Sequence, residues 1–164
     1  MSTTKKLFLM RHAEPEEGLG KIDFDRQLTP NGRAQALQLG QRWQKDGFCP
    51  DAIISSAAQR TTQTAQIIAD ALGFGLPQIS LEQDLYATHE YTLLQRLHQI
   101  PESCHSVLIV NHNPAISALL EYLVGRYLGM LTPGSLAALH FDLPWNKLAG
   151  GTTTLDYLHT PTTG

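Results

Sequence analysis

Three apolar runs of strand length lie along the chain, and polar residues follow each of them. The runs are Lys5 to Met10, Ala52 to Ser55 and Ser106 to Val110. The third is continuous and rich in β-branched residues, which is typical of a central strand buried on both faces. Arg11 and His12 follow the first run directly. Such residues either reach solvent where the strand ends or line a ligand site, since ligands bind at the carboxyl ends of strands in open α/β sheets.

Segments with helical periodicity separate these strands. The first helix is predicted to begin at Pro30 with Thr29 as its N-cap. Gly73 closes the second helix, Pro101 limits the third, and Gly125 closes the fourth. The positions predicted to form the buried faces of the four helices are Ala34, Leu37, Gly40 and Trp43; Ala58, Thr61, Ala65, Ile68 and Leu72; Tyr91, Leu94 and Leu97; and Ile116, Leu119, Leu120 and Leu123.

A short strand over residues 78–81 and a C-terminal hairpin complete the pattern. Residues 136–141 alternate in polarity, the chain turns near Gly150, and residues 152–158 return as a second strand. Alternating strands and helices favour a mostly parallel sheet that is covered by helices on both faces. We therefore predict a single α/β domain over residues 1–164, with a mostly parallel central sheet and a C-terminal antiparallel hairpin at its edge.

Composition and charge restrict the classes of partner. The 164 residues are 42% hydrophobic and carry a formal charge of −3, so a core can form and no general attraction to nucleic acid or membranes is expected. The apolar run near the N-terminus is too short for a signal peptide or a membrane span. Cys49 and Cys104 lack the spacing of a CxxC pair or a zinc knuckle. We expect a cytoplasmic protein in which any anion site is local.

Charged residues recur where the strands end. Arg11 and His12 follow the first strand, Arg60 lies in the helix after the second, and His112 follows the third. Taken alone, such an arginine is commonly a surface charge and such a histidine commonly a hydrogen-bonded cap. If the strands are neighbours, however, the four side chains converge on one edge. Arginine grips phosphate oxygens bidentately and histidine can attack phosphorus, so the set favours phosphoryl chemistry. No metal is expected, because neither histidine has HxxxH or HxH spacing.

Four segments resemble the motifs of the histidine phosphatase superfamily, which is also called phosphoglycerate mutase-like. They are LMRHA at 9–13, LTPNGRAQA at 28–36, SSAAQRTTQTA at 55–65 and VNHNP at 110–114. The segments occur in the family's order and span most of the chain. The small size, the NHNP form and the final hairpin without an inserted cap most resemble the SixA branch, which is named for a bacterial phosphohistidine phosphatase.

The resemblance implies a role for each motif residue. His12 would be the nucleophile, and Arg11, Arg60 and His112 would form the phosphate pocket. Arg26 matches a position that is often arginine in this branch and can reach the pocket; the alternative is a solvated loop arginine.

The chain departs from the family pattern in two places. The usual RHG is RHA here, so Ala13 must adopt a backbone angle that tolerates a Cβ. Larger members also have a carboxylate that protonates the leaving alcohol. Glu82, Asp84 and Glu90 lie in about the right region, but Glu90 also suits a helix start, where negative charge is favourable.

These features predict a phosphatase without metal or cofactor. A phosphoramidate leaves as neutral imidazole once its ring is protonated, whereas an alkoxide needs an acid, so the set favours phosphohistidine on a protein such as a phosphotransfer domain. One alternative is a phosphatase of small phosphomonoesters that uses Glu90 as the acid. Another is a weakly active regulatory module that binds a phosphorylated partner. A mutase is less favoured, because no segment that would enclose an exchanging sugar phosphate is evident.

Overall fold

A computed structural model describes residues 4–162, so residues 1–3 and 163–164 of the predicted domain lie outside the described residues. In chain order the elements are β1 (Lys5–Arg11), α1 (Pro30–Lys45), β2 (Ala52–Ser56), α2 (Gln59–Leu72), β3 (Ser80–Glu82), α3 (Glu90–His98), β4 (Ser106–Asn111), α4 (Ala115–Val124), β5 (Leu136–Phe141) and β6 (Thr154–His159). Single 3-10 turns lie at Asp23–Asp25, Leu76–Gln78, Gln83–Leu85 and Trp145–Lys147.

The strands form one sheet in the order β3-β2-β4-β1-β5-β6. The pairings among β1 to β4 are parallel, while β5 is antiparallel to β1 and β6 is antiparallel to β5. Arg11 lies opposite Asn111, and Ser55 lies opposite Val110, so β1, β4 and β2 end at the same edge. The predicted fold class is therefore confirmed, including the C-terminal hairpin. The three strands that precede the charged residues are neighbours, which is the condition under which those residues were expected to converge.

Helices cover both faces of the sheet. Alternate residues of β1 point to opposite sides: Leu7 and Leu9 pack with α3 and α4, whereas Phe8 and Met10 pack with α1 and α2. All six residues of β4 are buried, as predicted for a central strand. Burial on both faces holds the carboxyl ends of β1 and β4 in place, because any shift of one strand would displace both cores.

The predicted buried face of α1 is wrong at two positions. Ala34 is exposed and Leu37 is 41% exposed, while Ala36 and Leu39 are buried instead. Gly40 lies against the backbone of α2, where a Cβ would crowd the neighbouring helix. This close approach fixes the rotation of α1, and Leu37 consequently lies beside the contact face rather than on it.

Smaller differences concern element boundaries and one aromatic residue. The strands β1, β2 and β4 each extend one residue beyond the predicted end. The strand predicted over residues 78–81 is Ser80–Glu82, because the preceding 3-10 turn occupies Leu76–Gln78 and contains Pro77. Tyr91 is 60% exposed and stacks on His89, and Leu93 takes the predicted buried place in α3.

Candidate active site

His12 lies directly after β1, at the edge where β2 and β4 also end. Its backbone N–H donates to the Asn111 carbonyl (N···O 3.1 Å), and its carbonyl accepts from the Gly134 N–H (2.9 Å). The residue is 4% exposed, and its Nδ1 lies 2.8 Å from the carbonyl oxygen of Ala13. Because a carbonyl oxygen only accepts, Nδ1 carries the proton and Nε2 keeps the lone pair that a nucleophile needs.

His112 follows β4 and lies beside His12, with ring centroids 5.3 Å apart and ring planes at 58°. Its Nε2 lies 2.9 Å from Oγ of Ser56 at the end of β2, and the same hydroxyl accepts from the Ala58 N–H at 3.3 Å. Nδ1 of His112 is buried and has no hydrogen-bond partner among the described residues. Buried polar atoms are normally paired, so this nitrogen is available to a ligand.

Two arginines lie close enough to this histidine pair for their charges to lower the pKa of both imidazoles. Arg60 belongs to the first turn of α2; its Nη1 donates to the Asp23 carbonyl at 2.8 Å and its Nη2 to Asp23 Oδ2 at 3.1 Å. Arg11 donates Nη1 to the Leu131 carbonyl at 3.1 Å, and its Nε is buried without a partner in the described part of the chain. Burial and the charge of Arg60 lower the pKa of Arg11. An anion between two such guanidinium groups would relieve their repulsion.

Burial, together with the same charges, keeps both histidines neutral. Burial, together with His112 and the two arginines, lowers the pKa of His12 to about 3, although the hydrogen bond to Ala13 opposes this effect. Burial and then Arg60 lower the pKa of His112 to about 4. Near pH 7 both imidazoles are therefore neutral. A bound phosphoryl dianion would offset the arginine charges and favour protonation of His112.

We expect the free energy of unfolding to fall between pH 7 and pH 5. The pKa of a histidine in an unfolded chain is about 6.5. In the folded protein the pKa of His12 is lowered to about 3 and that of His112 to about 4, so both stay neutral over this pH range. The unfolded chain thus binds more protons in this range, which destabilises the fold as the pH falls. Urea unfolding at both pH values measures the effect. His12→Gln should reduce the pH dependence and the exposed control His105→Gln should not; an unchanged dependence in His12→Gln would contradict the assignment.

Leu131, in the loop before β5, holds the side chain of Arg11. No sequence motif indicates this contact or the side chains that support it. Asn113 Nδ2 donates to the Leu131 carbonyl at 2.8 Å, the same oxygen that accepts from Arg11. Ser117 donates its hydroxyl to Asn113 Oδ1, and its oxygen accepts from the Leu131 N–H at 2.9 Å. Asn113 and Ser117 therefore fix both polar groups of the Leu131 peptide, and that peptide fixes the guanidinium of Arg11.

Ser117→Ala is expected to weaken the binding of inorganic phosphate about 3- to 10-fold, because the N–H of the Leu131 peptide loses its side-chain partner. Ser117→Thr should restore much of the affinity, since the hydroxyl is retained. The exposed Ser103→Ala variant serves as the control. Equal phosphate affinities for Ser117→Ala and the control would show that the loop does not position Arg11.

Asp23 is a site residue that the sequence prediction lacks. Its Oδ2 accepts from Arg60 and from the Tyr86 hydroxyl at 2.7 Å, and its Oδ1 accepts from Arg26 Nη1 at 3.1 Å. The hydrogen bond from Tyr86, followed by those from Arg26 and Arg60, holds the pKa of Asp23 well below its usual range. The carboxylate is therefore ionised at neutral pH. The Asp-x-x-Arg spacing of residues 23–26 is the signal that could have indicated this pairing.

Arg26 is connected to Arg60 through the carboxylate of Asp23, which accepts hydrogen bonds from both arginines. Its Nε and Nη2 donate to the Glu16 carbonyl at 3.0 and 2.8 Å, while Nη1 contacts Asp23. The guanidinium thus braces its own loop and is linked to Arg60 through Asp23. A direct contact of Arg26 with substrate stays a prediction.

The predicted acid candidates form no hydrogen bond with either histidine among the described residues. Glu82 forms an ion pair with Arg96, with Nε and Oε1 2.8 Å apart. Asp84 and Glu90 are exposed, and Glu90 occupies the first turn of α3. Within residues 4–162 none of the three carboxylates hydrogen-bonds to a side chain of the site, so the role of Glu90 as an acid stays a prediction.

The RHA departure is accommodated locally. The φ angle of Ala13 lies outside the left-handed region, so its Cβ causes no backbone strain. The Ala13 N–H donates to Thr64 Oγ1 at 3.1 Å. The next side chain, Glu14, accepts from the Thr29 hydroxyl at 3.2 Å and from Asn31 at the start of α1. Glu14 therefore stabilises this helix start, where negative charge is favourable.

No group of three or more histidine, cysteine, aspartate and glutamate side chains within residues 4–162 is arranged to hold a metal ion. In the same range, no helix has the length and apolar character needed to cross a membrane.

Fold and site together define an α/β protein in which one sheet edge carries two histidines and two arginines suited to an oxyanion. A family model described as the histidine phosphatase superfamily (branch 1) matches residues 7–87, a segment that contains His12 and Arg60 but not His112. The chain belongs to the histidine phosphatase superfamily.

Solved structures place the chain in the SixA branch of that superfamily. The SixA protein of Nakamurella multipartitia has a TM-score of 0.81 and 27% identity, over 98% of each chain. The SixA protein of Agrobacterium tumefaciens has the same TM-score and identity, over 96% of this chain and 98% of its own. Among curated relatives, the mitochondrial serine/threonine-protein phosphatase PGAM5 of Xenopus tropicalis is 42% identical over 69 residues. That match covers 42% of this chain and 24% of PGAM5, so the chain spans about a quarter of the length of this relative.

Proposed function

We propose that this protein is a phosphatase that works through a covalent phosphohistidine on His12. The observation that carries the proposal is the Nδ1 contact of His12 with the Ala13 carbonyl, which leaves Nε2 with a free lone pair beside two arginines. In the first step Nε2 bonds to phosphorus and the substrate's bond to phosphorus breaks. In the second step water attacks phosphorus, the P–Nε2 bond breaks, and phosphate leaves.

The other three residues would stabilise the transferring group. Arg11 and Arg60 would hold its equatorial oxygens, with the unpartnered Nε of Arg11 as one donor. His112 would donate through Nδ1, because its Nε2 already contacts Ser56. These cations and donors supply the charge stabilisation that a metal provides in other phosphatases. The proposal therefore includes no metal and no cofactor.

The substrate that fits this site best is phosphohistidine on a protein, such as a phosphotransfer domain in the cytoplasm. Asp23, the carboxylate nearest Arg60, is held ionised and cannot protonate an alkoxide. A phosphoramidate with a protonated ring needs no such acid, because imidazole leaves neutral. The SixA relatives bear the name phosphohistidine phosphatase, which agrees with this choice.

A phosphatase of small phosphomonoesters is the alternative that the exposed Glu90 would support. A panel containing a phosphorylated phosphotransfer domain, free phosphohistidine and sugar phosphates separates the two functions when it is assayed with wild type and Glu90→Gln. We expect the phosphorylated domain to be turned over fastest and Glu90→Gln to match wild type. Faster turnover of sugar phosphates, lost in Glu90→Gln, would overturn the proposal. Tight phosphate binding without turnover would indicate a regulatory binding module instead.

A further inference from the structure

The carboxylate of Asp23 lies between a buried guanidinium and solvent. The side chain of Arg60 is 9% exposed, while that of Asp23, in contact with it, is 50% exposed. The 3-10 turn over Asp23–Asp25 contributes this carboxylate, and the backbone carbonyl of Asp23 accepts a second hydrogen bond from Arg60. Asp23 is therefore at the outer side of the phosphate pocket, where the part of the substrate beyond phosphorus would lie.

A negative charge at this place needs a reason, because it opposes the binding of a dianion. One reason is that Asp23 positions Arg60. That reason does not use the whole carboxylate. Among the described residues, Oδ2 accepts from Arg60 and Tyr86, whereas Oδ1 accepts from Arg26 alone. An ionised carboxylate has about two acceptor positions on each oxygen. Oδ1 can therefore accept one more donor from a ligand.

Aromatic rings continue from this carboxylate toward His112. The ring of Tyr86 packs edge-to-face against Phe24, with centroids 4.9 Å apart, and against His112 at 5.8 Å. The Tyr86 hydroxyl donates to Asp23, so this residue contacts both the carboxylate and the imidazole of His112. A flat, cationic ring is the group that interacts favourably with both an aromatic side chain and a carboxylate.

We propose that Asp23 is a specificity-determining residue that binds the protonated imidazole ring of a substrate phosphohistidine. This inference rests on the proposed function. The ring N–H of the substrate would donate to Oδ1 of Asp23 while Nε2 of His12 attacks phosphorus. When the P–N bond breaks, its electron pair stays on the substrate nitrogen. The ring keeps its other proton and leaves as neutral imidazole, so no further proton is required.

The same carboxylate disfavours phosphomonoesters. Their alkoxide needs a proton in the transition state, and Asp23 has none to give, because hydrogen bonds from Tyr86, Arg26 and Arg60 hold its pKa well below the usual range. Two other titratable groups sense its charge. The hydrogen bond to Asp23 raises the pKa of Tyr86, and the charge of Asp23 raises the pKa of His112 against the larger lowering effects of burial and Arg60. Asp23 thus stabilises a proton on a neighbouring imidazole, which is the effect required on the substrate.

The test is Asp23→Asn, assayed with a phosphohistidine-bearing phosphotransfer domain and with p-nitrophenyl phosphate, whose phenolate leaves without a proton. Both rates should fall, because Arg60 loses its ionic partner. We expect kcat/KM on phosphohistidine to fall about 10- to 100-fold further than on p-nitrophenyl phosphate. The alkaline limb of the phosphohistidine profile should also move down by about one pH unit, since the substrate ring loses its proton more readily.

Two further variants complete the experiment. Asp25→Asn, on the same turn, is the matched control, and Asp23→Glu should recover part of the preference because it restores the charge. Equal losses of Asp23→Asn on both substrates with an unchanged pH profile would overturn the inference and leave Asp23 as a positioning residue for Arg60. If wild type itself did not dephosphorylate phosphohistidine, the proposed function would fail instead, so the two failures are distinguishable.

Discussion

Replacing His12 by alanine is expected to reduce phosphatase turnover at least about 1,000-fold, because the two-step route loses its nucleophile. Covalent labelling should disappear at the same time. A wild-type sample mixed with ³²P-labelled substrate and quenched without acid should carry label on His12, since phosphohistidine survives neutral and alkaline conditions. The His12→Ala sample should carry none. The prediction follows from the free lone pair on Nε2, which the Nδ1 contact with Ala13 defines.

The matched control is His105→Ala, an exposed histidine directly before β4. It should keep wild-type turnover and labelling. Because His12 is almost fully buried, the folding of His12→Ala is checked separately by its circular dichroism spectrum and its affinity for phosphate. A folded His12→Ala variant that retained full turnover would refute covalent catalysis by this residue. Loss of turnover with label still present on the His12→Ala variant would show that another side chain is the nucleophile.

The strand ends were readable from the sequence because their signals are local. Continuous apolar residues require burial on both faces, and parallel strands end at a common edge. Those two facts suffice to predict that Arg11 and His12 lie near His112 once β1 and β4 are neighbours, as their register shows. The N-cap of α1 at Thr29 was equally predictable, because its hydroxyl accepts from the Gly32 N–H within one turn.

The remaining parts of the site depend on contacts between distant segments. Asp23 and Tyr86 are 63 residues apart, and the Leu131 carbonyl lies 120 residues beyond Arg11. A backbone carbonyl has no side-chain signature, so no motif could indicate that Leu131 holds Arg11. The predicted buried face of α1 is wrong for a related reason. That face is set by the close approach of Gly40 to α2, and the periodicity of α1 alone gives no information about this contact.

The position of the carboxylate supports the acid-independent chemistry that the sequence favours. The larger members of the superfamily direct attention to an acid near Glu82 or Glu90, but Glu82 is paired with Arg96, and Glu90 is an exposed residue at a helix start. The carboxylate that contacts Arg60 is instead Asp23, which is an anion rather than an acid. A site of this composition is better suited to holding a proton on the substrate than to delivering one.

Replacing Arg60 by glutamine is the second substitution with a large expected effect. Two N–H groups of Arg60 bind the carbonyl and the carboxylate of Asp23, and the other donors are left for a phosphoryl group. Glutamine removes the charge and the fork, so kcat/KM should fall about 100- to 1,000-fold, the loss that follows removal of a donor to a developing anion. Inhibition by inorganic phosphate should weaken as well.

Arg60→Lys separates charge from geometry in the same measurement. Lysine keeps the positive charge but cannot bind both oxygens of Asp23 and still present two donors to phosphate. We therefore expect it to recover only a small part of the loss. The control is Arg33→Gln, an exposed arginine on α1. Activity of Arg60→Lys equal to wild type would show that Arg60 acts only as a point charge, and activity of Arg60→Gln equal to the control would remove Arg60 from the phosphate pocket altogether. The expected order, wild type above lysine above glutamine, requires both the charge and the planar fork that Asp23 holds in place.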